Sequence, residues 1–321
     1  TGIVLILATY IFFSYTIPTS INNMILVISL GGLSYCVIKK RRISITHQQL
    51  LPMMLLFFYA SYQIIMAPLS IYPIDSTKSA FFRFILMSIG LFFHLCGGWY
   101  EKGIKTIFIF ASIHTVSTIL LYLMPSLFLN ITSNFLSNEI IKEMIYFMNR
   151  NTYSGITYQV GVNSFFITVG ISILCSSLFT DTEDKKLKMK RILLLGMFFL
   201  ALLLTGKRAH LVINIGCILF MSMVKAKSEG KNIFGKLLKS TVIVLVGIVI
   251  LVVIIPNASA PIQKFIQKQG GDQTSGRIKL YARAIDMIIE KPIAGWGTAV
   301  YSYRYETGVH NLYLQVLAEN G

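Results

Sequence analysis

Apolar residues in this chain come in long runs, broken by short polar joints. Nine runs cover approximately 2–17, 21–38, 48–68, 80–98, 104–124, 156–179, 192–206, 209–224 and 238–256, and another starts at 311. A helix needs about 20 consecutive apolar residues to cross the hydrocarbon core of a bilayer, and most of these runs approach that length. The pattern predicts an all-α protein, a polytopic transmembrane bundle of about nine helices over residues 1–256. Residues 257–310 read as a large extracytoplasmic loop, and 311–321 as the start of a further transmembrane helix. Thr1 already lies inside one apolar run and Gly321 lies early in another. This reads as a fragment of a longer protein, truncated at both ends.

The polar joints set an orientation. "KKRR" (39–42) follows the second run, "EKGIK" (101–105) the fourth, "DKKLKMKR" (184–191) the sixth and "KAKSEGKNIFGKLLK" (225–239) the eighth. The joints between them, such as "PTS" and "PLSIYPIDSTKS", carry almost no Lys or Arg. Lys and Arg concentrate on the cytoplasmic side of membrane proteins, so the basic joints are placed in the cytoplasm. The remaining joints then face outward: 125–155, the tight turn "TGKRAH" (205–210) and the loop 257–310.

Composition agrees. The 321 residues are 55% hydrophobic and 13% charged, against about 25% charged in a soluble domain. The net charge of +16 is explained by the basic joints, and no aromatic-interleaved RNA motif or zinc spacing points to nucleic acid. Cys36, Cys96, Cys175 and Cys217 all fall within apolar runs with no CxxC pair, as buried structural thiols do. His94 and His114 lie within apolar runs and read as packing residues; His47 is cytoplasmic.

Three residues on the outer side are harder to explain by packing. Arg208 stands between two apolar runs that almost touch. An arginine at the membrane boundary is costly without a partner or cavity. Either Lys207 and Arg208 snorkel to lipid phosphates, or they hold an anion. Arg277 opens the stretch "SGRIKLYARAIDMIIEKP", an amphipathic helix in which Ile278, Ala282, Ile285 and Ile289 recur at helical spacing. Ser275 suits its N-cap and Pro292 its end. A cation at a helix N-terminus opposes the dipole but suits a bound anion. His310 starts the last helix, and a neutral imidazole can take a proton from a hydroxyl. Asn311 is placed either to cap that helix or to orient the imidazole, and His210, near Arg208, is a second histidine candidate. Arginine forks match phosphate oxygens. Two arginines and a histidine on one side therefore suit transfer of a group from a phosphate-linked donor to an alcohol. The outer loops show no DxD-like pair, carboxylate cluster or His/Cys site, so no metal and no cofactor is expected.

The same residues carry a family resemblance. "TGKRAHLVINIGCILF", "SGRIKLYARAIDMIIEKPIAGWG" and "VHNLYLQVLAENG" resemble the O-antigen ligase and polymerase superfamily, which includes Wzy-type polysaccharide polymerases. The family's order is an S/T-x-S/K-R turn before an apolar helix, then S-G-R, a P-hydrophobic-x-G-x-G turn, H-N-x-x-L and a closing E-x-G. All appear here between 205 and 321. "NTYSGITYQVGVNSFF" (151–166) is similar to the segment after the family's large middle loop.

The resemblance implies a GT-C-like, metal-independent membrane glycosyltransferase in the inner or plasma membrane of a bacterium, with its site on the extracytoplasmic face. It would polymerise oligosaccharide repeats carried on undecaprenyl pyrophosphate into capsular or O-antigen polysaccharide. Carried over by position, Arg208 and Arg277 hold the pyrophosphate and His310 is the general base, with Lys207, His210 and Asn311 supporting. Lys207 stands where a small residue is common in the family. The implied partners are the lipid-linked donor and acceptor, membrane lipids, a flippase and chain-length regulator proteins. The alternative is a ligase that moves a finished glycan to a lipid or protein acceptor. A flippase or transporter of the same lipid-linked sugar would call for arginines along a midmembrane cavity; here the arginines singled out above gather at the outer face, and Arg83 is a candidate exception.

Overall fold

The structure, a computed structural model, describes residues 2–13, 16–39, 47–96, 100–157, 159–180, 185–259 and 276–321. All regular structure among them is helical. Among the described residues, nine helices follow the nine apolar runs: α1 (Gly2–Phe13), α2 (Thr19–Lys39), α3 (His47–Met66), α4 (Pro73–Cys96), α5 (Tyr100–Leu123), α8 (Val160–Thr180), α9 (Lys185–Leu204), α10 (Arg208–Ser228) and α11 (Ile233–Ile254). The joint 125–155 contains two short helices, α6 (Pro125–Thr132) and α7 (Asn138–Met148). Three more helices lie beyond residue 276: α12 (Arg277–Glu290), α13 (Val300–Tyr305) and α14 (Leu312–Asn320).

Among the described residues, six stretches are long and apolar enough to cross a membrane: Ser20–Lys39, Leu50–Leu69, Tyr100–Leu123, Val160–Phe179, Arg208–Ser228 and Ile233–Ile254. Their exposed surface is apolar. On α11, Val242, Ile243, Leu245, Val249, Val253 and Ile254 are all exposed. A helix that is hydrophobic all round and unburied by protein is a lipid-facing span. The chain is therefore a multi-pass membrane protein.

The chain divides into two compact units, Thr1–Leu26 with Tyr100–Lys268, and Val27–Trp99 with Gln269–Gly321. In the first, α8 packs against α5, α9 and α10, with α1 on α5 and α11 on α10. Its core is aromatic and aliphatic. Phe12 stacks on Phe166 at 4.3 Å and on Phe110 at 5.5 Å between centroids, with Phe198, Leu202, Leu203 and Ile171 buried around them.

A polar seam runs through this apolar core. His114, fully buried on α5, sets Nδ1 3.2 Å from Asn163 Oδ1 and Nε2 3.1 Å from the Phe12 carbonyl. Asn163 Nδ2 donates to Thr118 Oγ1 at 2.8 Å, and the Thr118 hydroxyl donates to the His114 carbonyl at 2.7 Å. Interhelical hydrogen bonds of this kind are worth about 0.6 kcal/mol on average in membrane bundles, and up to about 1.7. His114 is thus the buried packing residue its apolar surroundings suggest. The side chains of His47 and His94 lie outside the described residues.

In the second unit, α3 and α4 pack together, and α14 packs on both α12 and α13. Ala284, Met287, Val300, Tyr301, Val309 and Ala318 form their core. The amphipathic helix at 277–290 is present, but its orientation differs from a simple reading of its periodicity. Ile278, Ile285 and Ile289 are 65%, 45% and 71% exposed, and Ala282 is exposed as well. The packed side is instead Tyr281, Ala284, Met287 and Ile288. Both sides of this helix carry apolar residues, so spacing alone does not choose between them.

Candidate active site

The proposed site residues fall into two groups, one in each unit. In the first unit, α9 ends at Leu204 and α10 begins at Arg208. The Thr205 hydroxyl donates to the Leu202 carbonyl at 2.7 Å and accepts from the Lys207 N–H at 3.4 Å. This closes the T-G-K-R turn and delivers Arg208 as the first residue of a helix, where backbone N–H groups lack intrahelical partners. Lys207 occupies the N-cap position with extended backbone and no side-chain cap. Both basic side chains are half-buried. A Cβ on Gly161 would stand 3.8 Å from Lys207 Cε and Nζ, so the lysine lies along the start of α8.

His210 is the third residue of α10. Its Nδ1 lies 3.3 Å from Thr168 Oγ1 on α8. Asn214 Nδ2 donates to Thr168 Oγ1 at 2.9 Å and to the His210 carbonyl at 2.7 Å. The imidazole is therefore engaged with α8.

The segment 152–157 lines the same turn and was not singled out for chemistry by the sequence. Thr152, Tyr153, Ser154 and Thr157 are buried although the backbone is non-helical. The Tyr153 N–H donates to the Leu204 carbonyl at 3.0 Å, and Asn257 Nδ2 donates to the Tyr153 hydroxyl at 3.1 Å. Burial raises the Tyr153 phenol above its ordinary pKa. Gly155, at φ +61°, brings its backbone so close that a Cβ would stand 2.7 Å from Ser117 Oγ and 2.9 Å from Thr118 Oγ1. Buried irregular backbone within a membrane protein is tolerated where it packs in protein or lines a polar cavity. The signal in the sequence was a small polar string, "NTYSGIT", placed between apolar runs.

The second group begins with Arg277, the exposed first residue of α12. The N-cap position is held by Gly276 at φ +77° with no side-chain cap; Ser275, the expected cap, lies outside the described residues. The Arg277 side chain makes no hydrogen bond or ion pair among the described residues. His310 is exposed and holds a left-handed backbone at φ +58°. Non-glycine residues in this region are uncommon and cluster at functional positions. Asn311 is the N-cap: its Oδ1 accepts from Tyr313 N at 3.0 Å and from Leu314 N at 3.3 Å. Of the two expected roles for Asn311, the structure shows capping.

The glycine turn and the closing motif build the mount for this helix. Trp296 joins the C-terminal ends of α12 and α14: its backbone N–H donates to the Ala318 carbonyl and its indole N–H to the Met287 carbonyl, both at 3.1 Å. The Gly297 N–H donates to the Glu319 carbonyl at 2.7 Å. Gly295 (φ +63°) presses on the Glu319–Asn320 backbone, and Gly297 (φ +108°) on Ser70. Neither place has room for a side chain, which explains the G-x-G spacing. Glu319 itself is buried and reaches Arg83 on α4 at 3.4 Å. Arg83 is thus the ion-pair partner of Glu319.

Residues 192–321 match the family model described as O-Antigen ligase. This part of the chain belongs to the O-antigen ligase/polymerase superfamily. No curated protein and no solved structure matches the chain. The O-antigen ligase segment takes in both residue groups: the turn with Lys207, Arg208 and His210, then Arg277, His310 and Asn311. The match covers 130 of the 321 residues and supports an O-antigen ligase/polymerase-type membrane enzyme. The activity this family implies is glycosyltransferase-like, on lipid-linked glycans.

Proposed function

We propose that the chain polymerises oligosaccharide repeats carried on undecaprenyl pyrophosphate into a capsular or O-antigen polysaccharide, at the extracytoplasmic face of a bacterial inner or plasma membrane. The observation that carries this reading is His310. It is an exposed imidazole on a strained left-handed backbone, inside a segment of glycan-transferring ancestry.

In this reaction Arg208 and Arg277 bind the donor's pyrophosphate. Arg208 sits half-buried at a helix start beside Lys207, and its guanidinium fork matches phosphate oxygens. The acceptor hydroxyl attacks the donor's anomeric carbon while His310 takes its proton. The bond from that carbon to the pyrophosphate oxygen breaks, and the lipid pyrophosphate leaves with the electron pair. The single displacement inverts the anomeric centre. The arginines carry the leaving group's charge, so the step needs no metal ion.

The test supplies the full-length chain in membranes with the lipid-linked repeat unit as sole substrate. A ladder of lengthening glycans supports polymerisation. Single transfer that appears only when a second lipid or protein acceptor is added makes it a ligase. No transfer under either condition overturns the reading.

A further inference from the structure

The second unit carries three cations held in a row by two aromatic rings. Lys291 Nζ lies 4.2 Å over Trp296, and Arg304 lies 5.3 Å over the same ring. Arg304 also lies 5.5 Å over Tyr305, and Arg283 lies 4.8 Å over that ring. The order is therefore lysine, tryptophan, arginine, tyrosine, arginine.

The rings are fixed from behind. Trp296 is tied to the Met287 carbonyl through its indole N–H. Tyr305 packs 4.9 Å from Tyr301, which is fully buried and donates its hydroxyl to the Leu280 carbonyl at 2.8 Å. Lys291 and Arg304 are exposed and Arg283 is half-buried. Among the described residues, none of the three cations has an ion-pair partner, although Asp286, Glu290 and Glu306 are exposed on the same unit. Aligned like charges repel at a cost, and ring faces offset only about 0.5–1 kcal/mol each at exposed sites. Three cations linked through shared rings, with no ion-pair partner among the described residues, are complementary to a chain of anions.

We propose that this row binds an acidic glycan, with successive carboxylates seated on Arg283, Arg304 and Lys291. The planar forks of two arginines suit planar carboxylates in bidentate pairs, and a polyuronate offers several carboxylates on one chain. The proposal rests on the reading that this chain handles glycans; it adds a place for acceptor or product beyond the reacting residues.

The test measures binding of oligogalacturonate to the full-length chain in nanodiscs of neutral phosphatidylcholine, with maltodextrin of equal length as the uncharged control. Oligogalacturonate binds and maltodextrin does not. Arg304→Gln weakens binding about fivefold or more, the loss of one charge-assisted pair. Arg304→Lys loses less, and Arg304→Gln with Lys291→Gln loses more. Equal binding of the two glycans, unchanged affinity in the double variant, or adsorption to phosphatidylglycerol vesicles without oligogalacturonate binding would overturn the proposal. Binding needs no turnover, so the two readings separate. Oligogalacturonate binding without glycan transfer counts against the transfer reading alone, and transfer without such binding counts against the row alone.

Discussion

Arg83 on α4 and Glu319 near the end of α14 are separated by 236 positions in sequence and by 3.4 Å in space. The glutamate side chain is fully buried and the arginine is 31% exposed. Gln315 Nε2 donates to the other carboxylate oxygen at 3.0 Å. This ion pair fastens a membrane-side helix to the helix that His310 precedes. Removing one partner leaves a buried charge uncompensated, which costs roughly 3–5 kcal/mol for a fully buried pair. Arg83 retains solvent contact, so Arg83→Ala is expected to cost about 2–3 kcal/mol. Arg83→Met combined with Glu319→Gln is expected to cost less than the two singles added. Denaturation of the purified chain in detergent checks both.

How much of this was legible in the sequence depends on the length of the pattern. The nine apolar runs became nine helices because twenty apolar residues leave few alternatives. Arg277 as the first residue of its helix followed from local signals, and capping was one of two roles the sequence offered for Asn311; Arg208, read as part of the turn 205–210, instead starts α10. The partner of Glu319 did not, because long-range pairing leaves no periodic trace. The packed face of α12 did not either, since apolar residues lie on both sides of that helix. Segment 152–157 looked like an outer joint, and its burial comes from hydrogen bonds to α5 and α9 that no local pattern encodes. The alternation of cations and rings around Trp296 is built from three separate elements and is visible only in space.

The left-handed backbone of His310 separates strain from chemistry. A non-glycine residue there costs about 1–2 kcal/mol, which glycine avoids. His310→Gly is expected to match or exceed the wild type in thermal stability, whereas His310→Ala keeps the strain. Both lose glycan transfer. A His310→Gly chain that transferred glycan would show that the backbone, and not the imidazole, is what the position supplies.

Asn311 caps α14 as an acceptor only. Asn311→Ala is expected to cost about 1 kcal/mol of stability. Asn311→Asp keeps both accepted hydrogen bonds and places a negative charge at a helix N-terminus, which is favourable. It should therefore be as stable as the wild type. Beside an anionic donor the same charge repels, so the Asp variant is expected to raise the KM for the lipid-linked substrate. Parallel melting curves and initial rates give both numbers.

Gly297 has no room for a side chain against Ser70. Gly297→Ala adds about 1–2 kcal/mol of backbone cost to that clash. It is expected to lower the melting temperature and to abolish transfer, although it changes no group that touches substrate. Ser70→Gly in the same chain should recover part of both losses.

The central claim is that His310 and the arginines act on one lipid-pyrophosphate donor. The most direct measurement is the product ladder formed from the lipid-linked repeat unit by the wild type and by His310→Ala, Arg208→Ala and Arg277→Ala, at matched amounts of folded protein. The account predicts a ladder from the wild type and none from His310→Ala. Each arginine variant should lose most of its rate and recover part of it when the arginine is replaced by lysine instead of alanine. A ladder that survives His310→Ala at the wild-type rate would contradict it.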